Sequence, residues 1–217
     1  MKPTCASCTV YNCVEKERDL TKVPKNCPMR NEQYVEEIFE AYKDPEIRKF
    51  YIASKTYRQP GTGRNFVPRL RAVLDFCKGM GYKKIGLAFC VGFSQEAALY
   101  AKILRSHGLE VASVSCCNGG FNIADMGCPL PEGCEFDAAC NPLGQARLLN
   151  EEGVDFNLVM GLCTGHDSLF IRAANAMSTV IVTKDPATGH SPAMALYLYD
   201  QYYKEVFDAP CIDERDG

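Results

Sequence analysis

The stretch KIGLAFC at residues 84–90, followed by VGFS at 91–94, decides the fold, and NLVMGLC at 157–163, followed by TGHD at 164–167, repeats it. In each, an apolar run shaped like a buried strand stops on a cysteine, Cys90 or Cys163. One residue then leads to a glycine, Gly92 or Gly165, and to the opening of a predicted helix. Strands buried on both faces read as continuous apolar runs, the signature of a parallel sheet. In an open α/β sheet, ligands bind beyond the carboxyl ends of the strands. Two cysteines delivered there by the same device are expected to face one crevice.

Outward from these two runs the chain alternates. A helix is predicted from Ser94 to about His107, stopped by Gly108 as a C′ glycine. The strand VASVS ends at Cys116-Cys117, and a long connection, residues 118–139, follows. Asn141-Pro142 opens a helix that ends near Gly153. After Cys163 come a helix and a fourth strand, TVIVTKD. Ser191-Pro192 is expected to cap a last helix carrying Tyr197, Tyr199, Tyr202 and Tyr203. Strands alternating with helices imply a Rossmann-like open parallel sheet of about four strands with helices on both faces. The expected division is a metal-binding segment over 1–30, helices over 31–82 packed on the core, and an α/β domain over 83–217.

Within 31–82, Tyr34, Val35, Ile38, Phe39 and Tyr42 form one helical stripe. Asp44-Pro45 reads as an N-cap with proline in the first turn of the next helix, whose apolar positions are Ile47, Phe50, Tyr51 and Tyr57. Gln59-Pro60-Gly61-Thr62-Gly63 breaks that helix. A third helix, about Pro68 to Gly79, buries Leu70, Val73, Leu74 and Cys77.

Composition narrows the function. The chain has 217 residues, 47% of them apolar, enough for a core. A net charge of −3 and a pI of about 5.7 exclude a basic nucleic-acid surface. No apolar run approaches the roughly 20 residues that span a bilayer, and no apolar signal core follows Met1. Thirteen cysteines are an odd number, so they cannot all pair within one chain. They are expected to stay reduced in a cytoplasmic setting and to serve metal ligation or catalysis. So many thiols fit an anaerobic source. The glycine pattern offers neither G-x-G-x-x-G after a strand nor a P-loop.

Cys5, Cys8, Cys13 and Cys27 space as C-x2-C-x4-C-x13-C, with Pro28 after the last. Four thiolates satisfy a cubane iron–sulfur cluster or a tetrahedral zinc ion. The trailing Cys-Pro favours iron–sulfur, and zinc is the alternative. So short and polar a segment has little core of its own, and a metal would supply its order. Cys90, Cys116, Cys117, Cys140 and Cys163 all fall at strand ends or just before helix starts, where free N–H groups favour anionic sulfur. They are the candidate ligands of a second centre, again of the 4Fe-4S type. A single buried cysteine is more often a small hydrophobe, and Cys77 and Cys211 are assigned that role.

Cys163 and His166 are the candidate catalytic pair. His166 opens the helix after Cys163 and is placed to bind metal, donate a proton or cap the helix. His190, Lys184 and Asp185 also follow strands; Lys184 and Asp185 are placed either to reach the crevice or to form a surface ion pair, which is the commoner outcome. The long connection, with Cys128 and Cys134, is a candidate lid. Loops beyond about 12–15 residues are uncommon and often functional.

The blocks CASCTVYNC, IGLAFCVG, CNPLGQARLLNEEG, GLCTGHDSLF and KDPATGHSPAMALY resemble domain-of-unknown-function family 1847, over nearly the whole chain. The resemblance implies a cysteine-rich metal-binding protein of the cytosol of anaerobic bacteria or archaea. It implies no reaction. The resemblance extends to Cys5, Cys8, Cys13, Cys27, Cys90, Cys140, Cys163 and His166, whereas Cys128 and Cys134 lie in a stretch without such resemblance. The expected function is an iron–sulfur redox or sulfur-handling enzyme acting on a small or sulfur-containing substrate, with an electron-transfer protein as a possible partner. The alternatives are a non-enzymatic carrier of electrons, metal or sulfur, and a structural-zinc module that binds a small molecule.

Overall fold

Four strands form one sheet: β1 (Lys84–Phe89), β2 (Glu110–Ser115), β3 (Phe156–Met160) and β4 (Ser178–Val182). All pairings are parallel and the order is β2-β1-β3-β4. The computed structural model describes residues 2–55 and 67–211. The contacts divide the chain into two units, one ending at Phe66 and the other beginning at Val67. The glycine-bearing break at 59–63 and Tyr57 lie outside the described residues.

The second unit is the sheet with its helices. Helix α3 (Arg69–Met80) precedes β1, α4 (Ser94–Ser106) joins β1 to β2, α5 (Pro142–Glu151) joins β2 to β3, and α6 (His166–Ala173) joins β3 to β4. The β1-to-β2 crossover and the later two run in opposite directions across the sheet. Right-handed connections therefore put α4 on one face and α5 with α6 on the other. Tyr100 Oη donates to the Leu70 carbonyl at 2.7 Å and ties α4 to α3. The third helix runs one residue past its expected end at Gly79, because Gly81, at φ 78°, is the residue that can take the left-handed cap. The expected stops at Gly108 and Gly153 hold, each with positive φ.

The core is the doubly covered sheet. Ile85, Leu87, Leu104, Leu149, Leu158, Val159 and Phe170 are fully buried. At the carboxyl end of β3 the packing is closest. Gly161 has φ 65°, and a Cβ there would lie 2.2 Å from the Phe93 ring. Only glycine meets both demands.

The last helix is not continuous. It is a short α7 (Ala193–Tyr197), a π-helical turn (Tyr199–Tyr203) and a short α8 (Lys204–Asp208). Ser191 does not cap it; the first turn starts from Pro192 with no side-chain cap, and the Ser191 amide instead donates to Thr188 Oγ1 at 3.2 Å. Cys211, expected to pack inward, is exposed, because it lies beyond the end of α8.

The first unit holds α1 (Glu32–Ala41) and α2 (Pro45–Ala53), capped by the side chains of Asn31 and Asp44 as their sequences require. The stripe on α1 forms but stays largely exposed; Phe39 is 65% exposed. Among the described residues no helix is long and apolar enough to cross a membrane.

Cys77 shows the effect of this core on a thiol. It is fully buried, and burial pushes it up to about 12 from an ordinary 9.0. The folded state then holds a proton that the unfolded chain releases above pH 9. Stability therefore falls as pH rises from about 9 toward 12 and is untouched below that window. Urea midpoints at pH 8 and 10.5 should show the wild type losing about 1–2 kcal/mol more than Cys77→Ala over that interval. Equal losses would contradict it.

Candidate metal centre

The register of the sheet assembles the crevice. Phe89 is aligned with Ser115 on β2 and with Met160 on β3, so Cys90 emerges beside Cys116 on one side and beside the end of β3 on the other. The Cys90 amide still donates to the Met160 carbonyl at 3.0 Å, and the Gly161 amide to the Val182 carbonyl at 2.8 Å. The connections from β1 and β3 leave in opposite directions, which makes the gap between these two strands the switch point of the sheet. Cys90 and Cys163 flank it.

Cys140 reaches the same rim by another device. Asn118 and Asn141 clasp the two ends of the long connection. Asn118 Nδ2 donates to the Ser115 and Asn141 carbonyls at 2.9 and 3.1 Å. Asn141 Nδ2 donates to the Asn118 carbonyl and to Asn118 Oδ1, both at 3.1 Å. The Asn141 amide donates to the Cys116 carbonyl at 2.6 Å. Each asparagine follows a cysteine, so the clasp brings Cys117 and Cys140 together across 22 intervening residues. Beneath it the buried Gln145 donates to the carbonyls of Phe89 and Val114, at 3.2 and 2.8 Å, and ties together the ends of β1 and β2.

The sulfurs form a connected row. Cys116 and Cys117 lie 3.6 Å apart, and Val91 donates its amide to Cys116 Sγ at 3.3 Å. Cys140 lies near enough to Cys116 for that thiol to disfavour its ionisation. Cys140, Cys163 and His166 then present ligand atoms that all lie within 4.8 Å of one another. On a tetrahedral ion with bonds of about 2.3 Å, ligands sit about 3.8 Å apart, so this spacing suits one ion. Two thiols and an imidazole suit zinc, iron or copper. His166 also keeps a buried Nδ1 with no hydrogen-bond partner, which is costly unless something binds there. The donor set therefore fits a metal ion.

Lys184 completes the rim. Its Nζ lies 3.4 Å from both Cys90 Sγ and Cys163 Sγ. Burial works against its charge, but its hydrogen bonds with Cys163 and Cys90 outweigh that and raise its pKa above the usual lysine value. Lys184 and Asp185 do not form the ion pair that is the common outcome for such neighbours. Asp185 instead accepts from Thr188 Oγ1 at 2.6 Å, and its amide donates to His190 Nδ1 at 3.1 Å. His190 is exposed, with its ring edge-on to Phe93. Burial, then the nearby Cys116, Cys163 and Cys117, push the Cys140 thiol up to about 12. Crowded sulfurs cannot all ionise without a cation among them.

Not every expected residue joins this group. Cys128 and Cys134 are exposed. Their loop closes on itself instead: Asn122 accepts from the Asp137 amide and donates to the Glu135 carbonyl. At the amino terminus, Cys5, Cys8 and Cys27 line a cavity of about 20 Å³ with Thr4, Pro24, Asn26 and Pro28. Asn26 stitches it by donating to the Lys2 carbonyl and Thr4 Oγ1, and the Tyr11 amide donates to Cys8 Sγ at 3.5 Å. Cys13 is exposed and outside that lining. Among the described residues these four are not drawn together as closely as Cys140, Cys163 and His166.

A family profile described as "Protein of unknown function (DUF1847)" matches residues 27–181. That span holds all five rim cysteines and His166. A curated relative, "Uncharacterized protein MJ0455" of Methanocaldococcus jannaschii, is 37% identical over 196 residues, covering 88% of this chain and 95% of the relative. No solved structure matches.

The clasp yields a prediction. Asn118→Ala frees one end of the loop that holds Cys140 in place. Competition with a chelator should show cobalt or zinc bound about tenfold more weakly, the usual cost of losing a group that orients a ligand. Unchanged affinity would show that Cys140 is held by other means.

Proposed function

Because the chain belongs to the DUF1847 family, whose description assigns no activity, its function has to be read from the site, and we propose that the crevice holds a thiolate-bound metal centre used for redox or sulfur chemistry on a small molecule. The observation that carries this reading is the convergence of Cys140, Cys163 and His166 at the switch point of the sheet. Three protein ligands are the mark of a working centre, because an ion so held keeps an open position and acts there as a Lewis acid or redox site.

The chain's own residues supply the rest. Cys140 and Cys163 give the negative charge that retains the ion. His166, at the start of α6, is either the third ligand or the group that moves a proton to the substrate. Lys184 places a positive charge beside Cys90 and Cys163. Cys5, Cys8, Cys13 and Cys27 are proposed as a second centre, an iron–sulfur cluster or a zinc ion. As a cluster it would pass electrons to the crevice from a partner protein; as zinc it would only order the segment.

A second reading has its own support. Cys90, Cys116 and Cys117 are surplus to a single ion, and they supply the extra thiolates that an iron–sulfur cluster needs. A crevice fully ligated by cysteine would suit a carrier of electrons, metal or sulfur.

Protein purified without oxygen, with iron, zinc and acid-labile sulfide measured together, tests both. Bound metal should fall by one centre's share in Cys163→Ser and by the other's in Cys8→Ser, each leaving the remainder. Sulfide lost with Cys163→Ser would favour the cluster. Metal-free wild-type protein would end the proposal.

A further inference from the structure

The charge balance of the rim carries one step more. A divalent ion on two thiolates and a neutral imidazole is electrically balanced before Lys184 is counted. Lys184 then adds a full positive charge. Among the described residues no carboxylate forms an ion pair with it, and Asp185 is committed to Thr188. An ammonium has three N–H donors. Two are directed at the sulfurs of Cys90 and Cys163, which leaves one. The side chain is only half-buried, so that donor is reachable from the crevice.

We propose that Lys184 is a substrate-binding residue, and that the crevice takes a small molecule carrying a negatively charged group, held by the third N–H of Lys184 beside Cys163. This deepens the reading of the crevice given above and rests on it for the premise that a substrate enters there. Lys184 follows the end of β4, whereas Cys140 and Cys163 come from the β2–α5 and β3–α6 connections and His166 opens α6. The substrate's anion is thus anchored from one side of the rim while its reacting atom faces the ion from the other. The protein's net charge of −3 repels anions in general, so attraction at this point is a local property.

Alkylation of reduced, metal-free protein tests this without the metal. Iodoacetate is anionic and iodoacetamide is its neutral counterpart. Their rates at Cys163 are read by peptide mass spectrometry. The fraction of ionised thiol affects both reagents alike and cancels in the ratio, so a merely structural role for Lys184 leaves the ratio unmoved. The iodoacetate-to-iodoacetamide ratio should drop about fivefold in Lys184→Met and be retained in Lys184→Arg. In the wild type, raising salt should slow iodoacetate selectively, a check that needs no variant. A ratio indifferent to both Lys184→Met and salt would overturn the inference while leaving the metal reading intact. Absence of metal from the native protein would overturn that reading instead.

Discussion

The parallel pairing of β1 with β2 on one side and β3 on the other is the constraint on which the rest depends. It places the first strand in the middle of the sheet, so that later strands must be added in opposite directions. It also fixes which residues leave the sheet level with one another. Shifting the β1–β3 register by one residue would exchange the two faces of a strand and separate Cys90 from Cys163. Gly86 records how tightly that pairing is held. A Cβ there would meet Asn157 Oδ1 at 2.3 Å, so the buried asparagine of β3 fits only over a bare backbone.

From that sheet the site follows by three routes. Strand ends deliver Cys90, Cys116 and Lys184. The short turn after Gly161 delivers Cys163, and α6 then begins at His166, whose amide donates to the Cys163 carbonyl at 3.0 Å. The Asn118–Asn141 clasp delivers Cys140 from the far end of a long loop. Each route orders backbone first and sulfur second, which is what a metal site needs from its support.

Much of this was legible in the sequence. Apolar runs ending in cysteine named the strands, and Asn141-Pro142, Asp44-Pro45 and Gly108 named helix ends, because local backbone chemistry decides those features. The gathering of Cys140 and Cys163 followed from the rule that strand ends share a rim. What the text hid were the side-chain reaches. The sequence leaves Lys184 either in the crevice or in a surface pair with Asp185, and only the fold decides between them, because Thr188 and His190 occupy Asp185 while Lys184 reaches Cys90 and Cys163. The clasp had a faint signal in the twin Cys-Asn dipeptides at 117–118 and 140–141, but asparagine is common in turns and the signal does not stand alone. The last helix misled because four tyrosines and a Ser-Pro start suggest continuity, whereas the backbone inserts a π-helical turn.

The central claim is that a metal ion is bound between residues brought together by this sheet. Anomalous diffraction from crystals of the protein purified without oxygen tests it most directly. The account predicts a peak about 2.3 Å from the sulfurs of Cys140 and Cys163 and about 2.0–2.1 Å from a nitrogen of His166. A clear anomalous map with metal at the amino-terminal cysteines alone, and none at this rim, would contradict it.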